Sequence, residues 1–232
     1  TNFGLHFLSF TKRSFKYYLA NDELKLFLSI IFVVVLVSTL TLYMKEGFSV
    51  NDSIRYGFFQ SISIVTTTGY TLEPLSGLGG SIGFLIFILA FIGACSGSVG
   101  GGMKVWRVLL MLKVGFSNIT KIIHPSAVSS VKLNGEKIVS SQIEAVFSFI
   151  AIYVSFFLLF MFILIFQNVD FYSAFSGTAA AINNLGPGLG SFSENYSALS
   201  DVGKFTLTMA MIVGRLELFG VLILFVPSFW RS

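Results

Sequence analysis

Thr66, Thr67, Thr68, Gly69 and Tyr70 place three hydroxyls, a glycine and a row of backbone carbonyls between two apolar runs. At membrane depth such groups are costly unless they face water or an ion, because lipid offers them no hydrogen bonds. Concentrated at one point, the same oxygens can replace the hydration shell of a cation and act as a filter. A second constellation, from Gly93 through Ala94, Cys95, Ser96, Gly97, Ser98, Val99, Gly100 and Gly101 to Gly102, holds five glycines in ten residues of an apolar stretch. Each glycine costs a helix about 1 kcal/mol against alanine, so the pattern predicts a span broken by a loop that lines a cavity or is shielded by protein. The third feature is Arg215, with Glu217 two residues on, inside the apolar run from Gly203 to Trp230. A charge at that depth costs about 2.5 to 3.5 kcal/mol and demands a partner or a wet cavity. Glu217 falls on another helix face, and the carbonyls of the 93–102 loop are the expected partner, with Arg215 raising a barrier to cations below the filter.

The elements that must position these groups follow from composition and period. Of 232 residues, 54% are hydrophobic and 11% charged, with 27 Phe; the mean hydropathy is +0.83. These values describe an integral membrane protein. The lone Cys95 forms no intrachain disulfide and reads as a small packing residue. The net charge of +4 is explained by membrane topology; no basic track interleaved with aromatics is long enough for nucleic acid. The chain opens at Thr1 with no signal-peptide pattern and reads as a piece of a longer polypeptide.

Residues 1–23 mix Lys12, Arg13 and Lys16 with Phe15, Tyr17 and Tyr18, which suits an interfacial segment. Leu24 to Met44, charged only at Lys25, is long enough at about 1.5 Å per residue to cross a core of about 30 Å. Asn51, Asp52 and Ser53 offer helix caps. A helix over 52–65 would be about 21 Å long, too short to cross, so it must enter partway with its negative C-terminal end directed inward. The chain returns through Glu73 and Pro74 and re-enters at Ser81 for a long stretch ending near Leu112. Residues 113–142 form a polar connection, and a further span runs from Ile143 to Phe166. Asp170 then opens another short run, ending at Asn183, Asn184, Leu185, Gly186, Pro187 and Gly188.

An offset of 117 lays Gly69 on Gly186, Phe58 on Phe175, Thr67 on Asn184 and Ser98 on Arg215. The order long span, short re-entrant helix, glycine-containing filter, long span therefore occurs twice, in 24–112 and in 143–232. The fold class is an all-α membrane protein of two tandem membrane-pore-membrane repeats, with filters at 66–70 and 183–188 and an intramembrane loop at 93–102. Eleven of 15 Lys and Arg fall on the side of residues 1–25, 104–137 and 231; Lys45, Arg55 and Lys204 fall on the filter side. By the positive-inside rule the filter mouths face outward and 113–142 is cytoplasmic.

Plainer readings compete with each feature. The threonines could be an extracellular loop, and Asn183 to Gly188 taken alone is an ordinary turn; the duplication favours the pore. The glycines could serve close helix packing, which is compatible with gating. A phosphate cradle fails, since Lys104 follows Met103 and Val105 stands where a P-loop needs Ser or Thr. An intramembrane peptidase using Ser96 or Ser98 lacks a membrane-embedded histidine, because His6 and His124 lie outside the spans. No His, Cys and carboxylate group has transition-metal spacing.

VTTTGY at 65–70, GACSGSVGGGMKVWR at 93–107, NNLGPG at 183–188 and GRLELFGVLILFVPSFWR at 214–231 resemble the Trk, Ktr and HKT superfamily of potassium-transport proteins, the TrkH branch most closely. The resemblance implies four membrane-pore-membrane units around one pore, of which these are the third and fourth. It implies potassium ion held by backbone carbonyls of Thr67, Thr68, Asn184 and Leu185 in filters 66–70 and 183–186, with Gly69 and Gly186 favouring potassium over sodium. It also implies a gate of Gly93, Cys95, Gly97, Ser98, Gly100, Gly101, Gly102 and Arg215. A bacterial inner-membrane location, a homodimer, an upstream half of the same polypeptide and a cytosolic TrkA-type nucleotide-binding regulatory subunit follow from the same resemblance; the chain itself needs no organic cofactor and performs no covalent chemistry. A sodium-permeable relative and a half-length protein that pairs to complete four units are the alternatives.

Overall fold

The structure is a computed structural model that describes residues 2–44, 47–72, 83–84, 87–125 and 130–230. The expected turn at Glu73 and Pro74 and the re-entry at Ser81 lie outside the described residues, as do Lys45 and Arg231. The described residues are mostly helical; a two-residue hairpin, β1 (Lys132–Leu133) with β2 (Glu136–Lys137), pairs antiparallel in the connection.

The interfacial segment folds as α1 (Phe3–Thr11) and α2 (Lys16–Ala20), and α3 (Asp22–Met44) follows at once. Among the described residues, α3 and the later α6 (Ser140–Phe166) are the two helices long and apolar enough to cross a membrane. Between them lie α4 (Val50–Val65), a single 3-10 turn at Leu89–Phe91, and α5 (Val105–Ile123). After α6 come α7 (Phe171–Ile182), α8 (Asp201–Arg215) and α9 (Leu218–Ile223). α5 continues to Ile123, eleven residues past the expected end near Leu112, because nothing before His124 breaks its backbone.

α4 and α7 have 16 and 12 residues, about 24 and 18 Å at 1.5 Å per residue, so both stop within the bilayer. Asp170 caps α7, its carboxylate accepting from Ser173 N at 2.9 Å. α4 is capped two residues ahead of the first expected cap, Asn51: Ser49 Oγ accepts from Asp52 N at 3.2 Å and donates to Asp52 Oδ2 at 2.7 Å. Asp52 thus supports the cap instead of being it.

The second long segment of each repeat is broken, in different ways. In the first repeat helix gives way after Phe91 to the 92–104 loop and resumes at Val105. In the second, α8 ends at Arg215 and α9 restarts at Leu218 across Glu217, whose φ is +53°. Arg215 is therefore the last residue of a helix, not one embedded in a continuous span.

The core runs between the repeats. Phe91, Tyr153, Phe157 and Phe175 stack edge to face with centroids 5.4 to 6.4 Å apart, around the fully buried alanines Ala174, Ala179 and Ala180 of α7. Small residues let α7 sit at the centre. Serines do the same between α3 and α4, where Ser38 Oγ and Ser61 Oγ share a buried 2.8 Å hydrogen bond. Gly57 of α4 rests directly on α3: a Cβ there would fall 2.5 Å from Thr39 Oγ1 and 2.9 Å from Thr39 N. Gly57→Val should force the helices apart and cost about 1 to 3 kcal/mol, as overpacking does. Thermal unfolding in detergent would show this as a lowered midpoint against Gly115→Ala, whose position has open space.

Candidate functional site: two filter strands over a glycine loop

Both short helices end in the same backbone figure. After α4, Thr66 N donates to Ile62 O (2.9 Å), Thr67 N to Ile64 O (3.0 Å) and Thr68 N to Ser63 O (2.8 Å). After α7, Asn183 N donates to Ala179 O (3.1 Å), Asn184 N to Ala181 O (3.0 Å) and Leu185 N to Ala180 O (2.9 Å). Each bond maps onto its counterpart by the offset of 117 (62 to 179, 63 to 180, 64 to 181). So do the left-handed residues: Thr67 (φ +54°) with Asn184 (+52°), and Gly69 (+80°) with Gly186 (+103°). The repeat, faint in residue identity, is nearly complete in backbone geometry.

The figure spends the amide donors on the helix end and leaves the strand carbonyls without helical partners. The C-terminal ends of α4 and α7, each carrying roughly half a negative charge, point at these strands. The two strands meet. A Cβ on Gly69 would fall 1.9 Å from Leu185 O, so only a residue without a side chain lets the two strands approach this closely.

The scaffolding around each strand is not repeated. In the first, Ser63 Oγ donates to Tyr70 O at 2.6 Å and Thr66 Oγ1 to Ile62 O at 2.6 Å, while Thr66 and Thr68 hydroxyls lie 2.8 Å apart. In the second, Ala180 replaces Ser63 and tyrosines take over. Tyr153 of α6 donates its hydroxyl to Asn183 Oδ1 at 2.8 Å, and Tyr196 donates to Gly186 O at 2.9 Å. Asn183 is fully buried, its amide donating to Ala179 O, so its side chain props the strand. Ser176 Oγ bonds both Leu189 N (3.0 Å) and Leu189 O (3.1 Å), fixing the exit.

Beneath the strands the glycine loop folds back on itself, with Met103 N on Phe91 O (2.9 Å) and Val105 N on Ala94 O (3.1 Å). Backbone crosses backbone: a Cβ on Gly93 would stand 2.2 Å from Gly101 O, and one on Gly102 2.6 Å from Gly93 Cα. The loop also touches both filter strands. Gly101 N donates to Thr67 Oγ1 at 2.8 Å, and a Cβ on Gly101 would fall 1.8 Å from Asn183 O. Cys95 is buried among Leu24, Phe27, Val65 and Val105, and Ser98 Oγ donates to Cys95 O at 2.5 Å. Gly97 O accepts from Phe3 N at 3.3 Å, which brings α1 onto the loop.

Arg215 Nη1 donates to Val99 O at 2.9 Å, 116 residues away in sequence. The two faces a cavity of about 260 Å³ whose walls include Ser98 to Gly102, Tyr153 and Gly214. Lys104, Arg107 and Glu217 line the same cavity, and Glu23 bonds the loop from α3. Lys104 Nζ donates to Ser98 O at 3.2 Å and to Gly100 O. Arg107 pairs with Glu217 at 3.2 Å and stacks over Phe149, 3.8 Å from the ring centroid. Glu23 of α3, 5% exposed, takes a 2.5 Å hydrogen bond from Ser96 N and another from the Trp106 backbone. The available signal was their position: an ionisable residue within or at the edge of an apolar run is functional by default. The partners, 73 and 110 residues away for Glu23 and Arg107, carry no local trace.

His6 Nδ1 is 2.7 Å from Tyr18 Oη, and His124 closes α5.

Residues 4–232 match the TrkH family, described as cation transport proteins. The chain belongs to the TrkH family. It is 39% identical over 232 residues to the Trk system potassium uptake protein TrkH of Escherichia coli K12, covering all of this chain and 48% of that protein. It is 36% identical to TrkH of Halomonas elongata and 31% to TrkG of Escherichia coli K12, at the same coverages. The crystal structure of the potassium transporter TrkH from Vibrio parahaemolyticus superposes with a TM-score of 0.93 at 38% identity, over all of this chain and 50% of that one. The chain thus spans about half the length of the relatives it matches. Its fold is the all-α, pore-helix membrane fold, in a multi-pass protein of the plasma (bacterial inner) membrane, and its family transports ions without covalent chemistry.

The contact of Gly101 with Asn183 O and Thr67 is the most exacting in the site. Gly101→Ala should displace either the loop or the second strand and cost about 1 to 3 kcal/mol. Thermal midpoints should fall for Gly101→Ala and stay put for Gly115→Ala.

Proposed function

We propose that this chain contributes two of the walls of a potassium pathway, in which dehydrated potassium is held by backbone carbonyls of Thr67, Thr68, Asn184 and Leu185 within filters 66–70 and 183–186. The observation that carries this reading is the meeting of the two strands, with Gly69 packed by its backbone against Leu185 O at the ends of two half-length helices. Carbonyl dipoles fixed by a helix-end hydrogen-bond figure replace ion hydration at little reorganisation cost, and the helix ends add negative potential. The relatives are named for potassium uptake, which favours potassium over the sodium-permeable alternative.

Gly186 supports a larger assembly. Where Gly69 faces the other strand, Gly186 has open space, as fits a further filter strand on that side. With relatives about twice as long, that strand belongs to an upstream half of the same polypeptide, giving four units around one pore. A homodimer and a cytosolic TrkA-type nucleotide-binding regulator complete the proposed assembly; potassium is its cargo, and any nucleotide sits on the regulator.

Closure is assigned to the glycine loop and Arg215. The loop lies under both strands, and the guanidinium holds a permanent charge in the cavity below. A fixed positive charge in a space of low dielectric opposes entry of a second cation by several kcal/mol.

Two measurements test this reading in the native full-length protein. Gly69→Ser should place a hydroxymethyl before Leu185 O and lower the potassium-to-sodium uptake ratio by tenfold or more, or about 1.4 kcal/mol; an unchanged ratio removes 66–70 from the filter. Arg215→Ala should raise unregulated potassium flux in proteoliposomes severalfold, and unchanged flux with unchanged regulation removes Arg215 from the gate.

A further inference from the structure

Three successive loop carbonyls each accept a hydrogen bond from a side-chain cation. Lys104 Nζ takes those of Ser98 and Gly100, and Arg215 Nη1 takes that of Val99 between them. The two cations arrive independently, Arg215 from the end of α8 and Lys104 from the loop's own last residue. Lys104 has φ +74°, a conformation that a residue with a side chain keeps only when its surroundings hold it. Half-buried, it faces a cavity of about 260 Å³. Glu217 of the same cavity is paired with Arg107 at 3.2 Å, and the ammonium's hydrogen bonds go to the carbonyl oxygens of Ser98 and Gly100.

A pair of carbonyls converging on one ammonium nitrogen is a cation site. An alkylammonium group and a potassium ion carry the same charge, have similar size, give up water at comparable cost and seek the same oxygen ligands. Carbonyls placed to seat one are placed to seat the other, whereas a guanidinium, planar and forked, fills a different shape. Within a membrane these carbonyls cannot be left bare; when the ammonium withdraws, water or a passing ion must replace it.

We propose that the carbonyls of Ser98 and Gly100 form a site for a partly dehydrated monovalent cation below the filter, and that Lys104 occupies it as a tethered ammonium plug in this conformation. The inference rests on the pore reading above. It divides the gate into two parts: Arg215 supplies a standing charge on α8, while Lys104 travels with the loop and competes with the ion for the same oxygens. Opening then requires the loop to carry the ammonium off its carbonyls, after which the vacated oxygens become a relay for the ion.

The test uses the native full-length transporter in liposomes, with Lys104→Met, which keeps the length of the side chain without its charge, and Lys104→Gln as a second neutral variant. Both should leak potassium in the unstimulated state, about tenfold above wild type. Methylammonium added at millimolar concentration on the cytosolic side should suppress that leak by refilling the site with a free ammonium group. Crystals of a neutral variant grown with rubidium should show its anomalous signal against the Ser98 and Gly100 carbonyls. Suppression and rubidium occupancy together support the proposal. A leak equal to wild type, a leak that methylammonium leaves untouched, or a failure of both neutral variants to fold would make Lys104 a structural staple and overturn it. If wild type itself carries no potassium under stimulation, the pore reading fails instead, a result distinguishable because it precedes any variant.

Discussion

The carbonyls of one short strand dictate much of what surrounds them. Ile182 O, Asn183 O and Leu185 O each have a glycine pressed against them from a different element: Gly214 of α8, Gly101 of the loop and Gly69 of the other filter, where a Cβ would stand 1.8 to 1.9 Å away. Three backbones can converge on one carbonyl row only if all three present hydrogen where other residues present carbon. This steric requirement explains the glycines better than flexibility does, and it draws α8, the loop and both filters into one packed unit. The alanine-rich face of α7 obeys the same constraint, since buried Ala174, Ala179 and Ala180 let the helix supporting that strand reach the centre.

Satisfying polar backbone at this depth takes different side chains in the two repeats. The first relies on its own hydroxyls, with Ser63 and Thr66 bonding carbonyls within a few residues. The second draws on Tyr153 from α6 and Tyr196 from the segment after the filter. The backbone figure is thus the invariant and the scaffolding is free to change. Identity between the repeats is low because main-chain hydrogen bonds repeat at an offset of 117 while the residues supporting them do not.

Much of the architecture was legible in the sequence. Apolar run lengths separate crossing helices from α4 and α7, glycine density locates the break in the first repeat, and the offset that pairs Gly69 with Gly186 also pairs their positive φ angles. Arg215 was marked by its cost in an apolar run, and the loop carbonyls were its expected partner. What was not legible is pairwise. Glu23 reads as part of a helix start, yet it holds Ser96 of the loop. Lys104 reads as a failed phosphate-loop lysine at the cytoplasmic edge, yet its ammonium lies on the loop's carbonyls. Arg107 and Glu217 meet across 110 residues. Periodicity reports which face of an element is buried, whereas these roles depend on which two elements meet. The stop of α8 at Arg215 belongs to the same class, because it follows from the left-handed turn at Glu217, a residue type with no tendency to break a helix.

Selecting an ion and closing the path are usually described as separate tasks at separate depths. On the reading proposed above they share atoms. Thr67, within the first filter strand, accepts from Gly101 N, and the same Gly101 packs on Asn183 of the second. A loop that withdraws far enough to free the cavity must break the Thr67 contact and uncover Asn183 O, so both strands lose support at their inner ends together. The strand figures themselves are made of main-chain bonds to α4 and α7 in which no loop residue takes part, and they can persist without it. The arrangement therefore keeps the carbonyl geometry of both strands on the helix ends and couples only their innermost residues to the loop, so on the proposed reading closure reaches the filter without its carbonyls being rearranged.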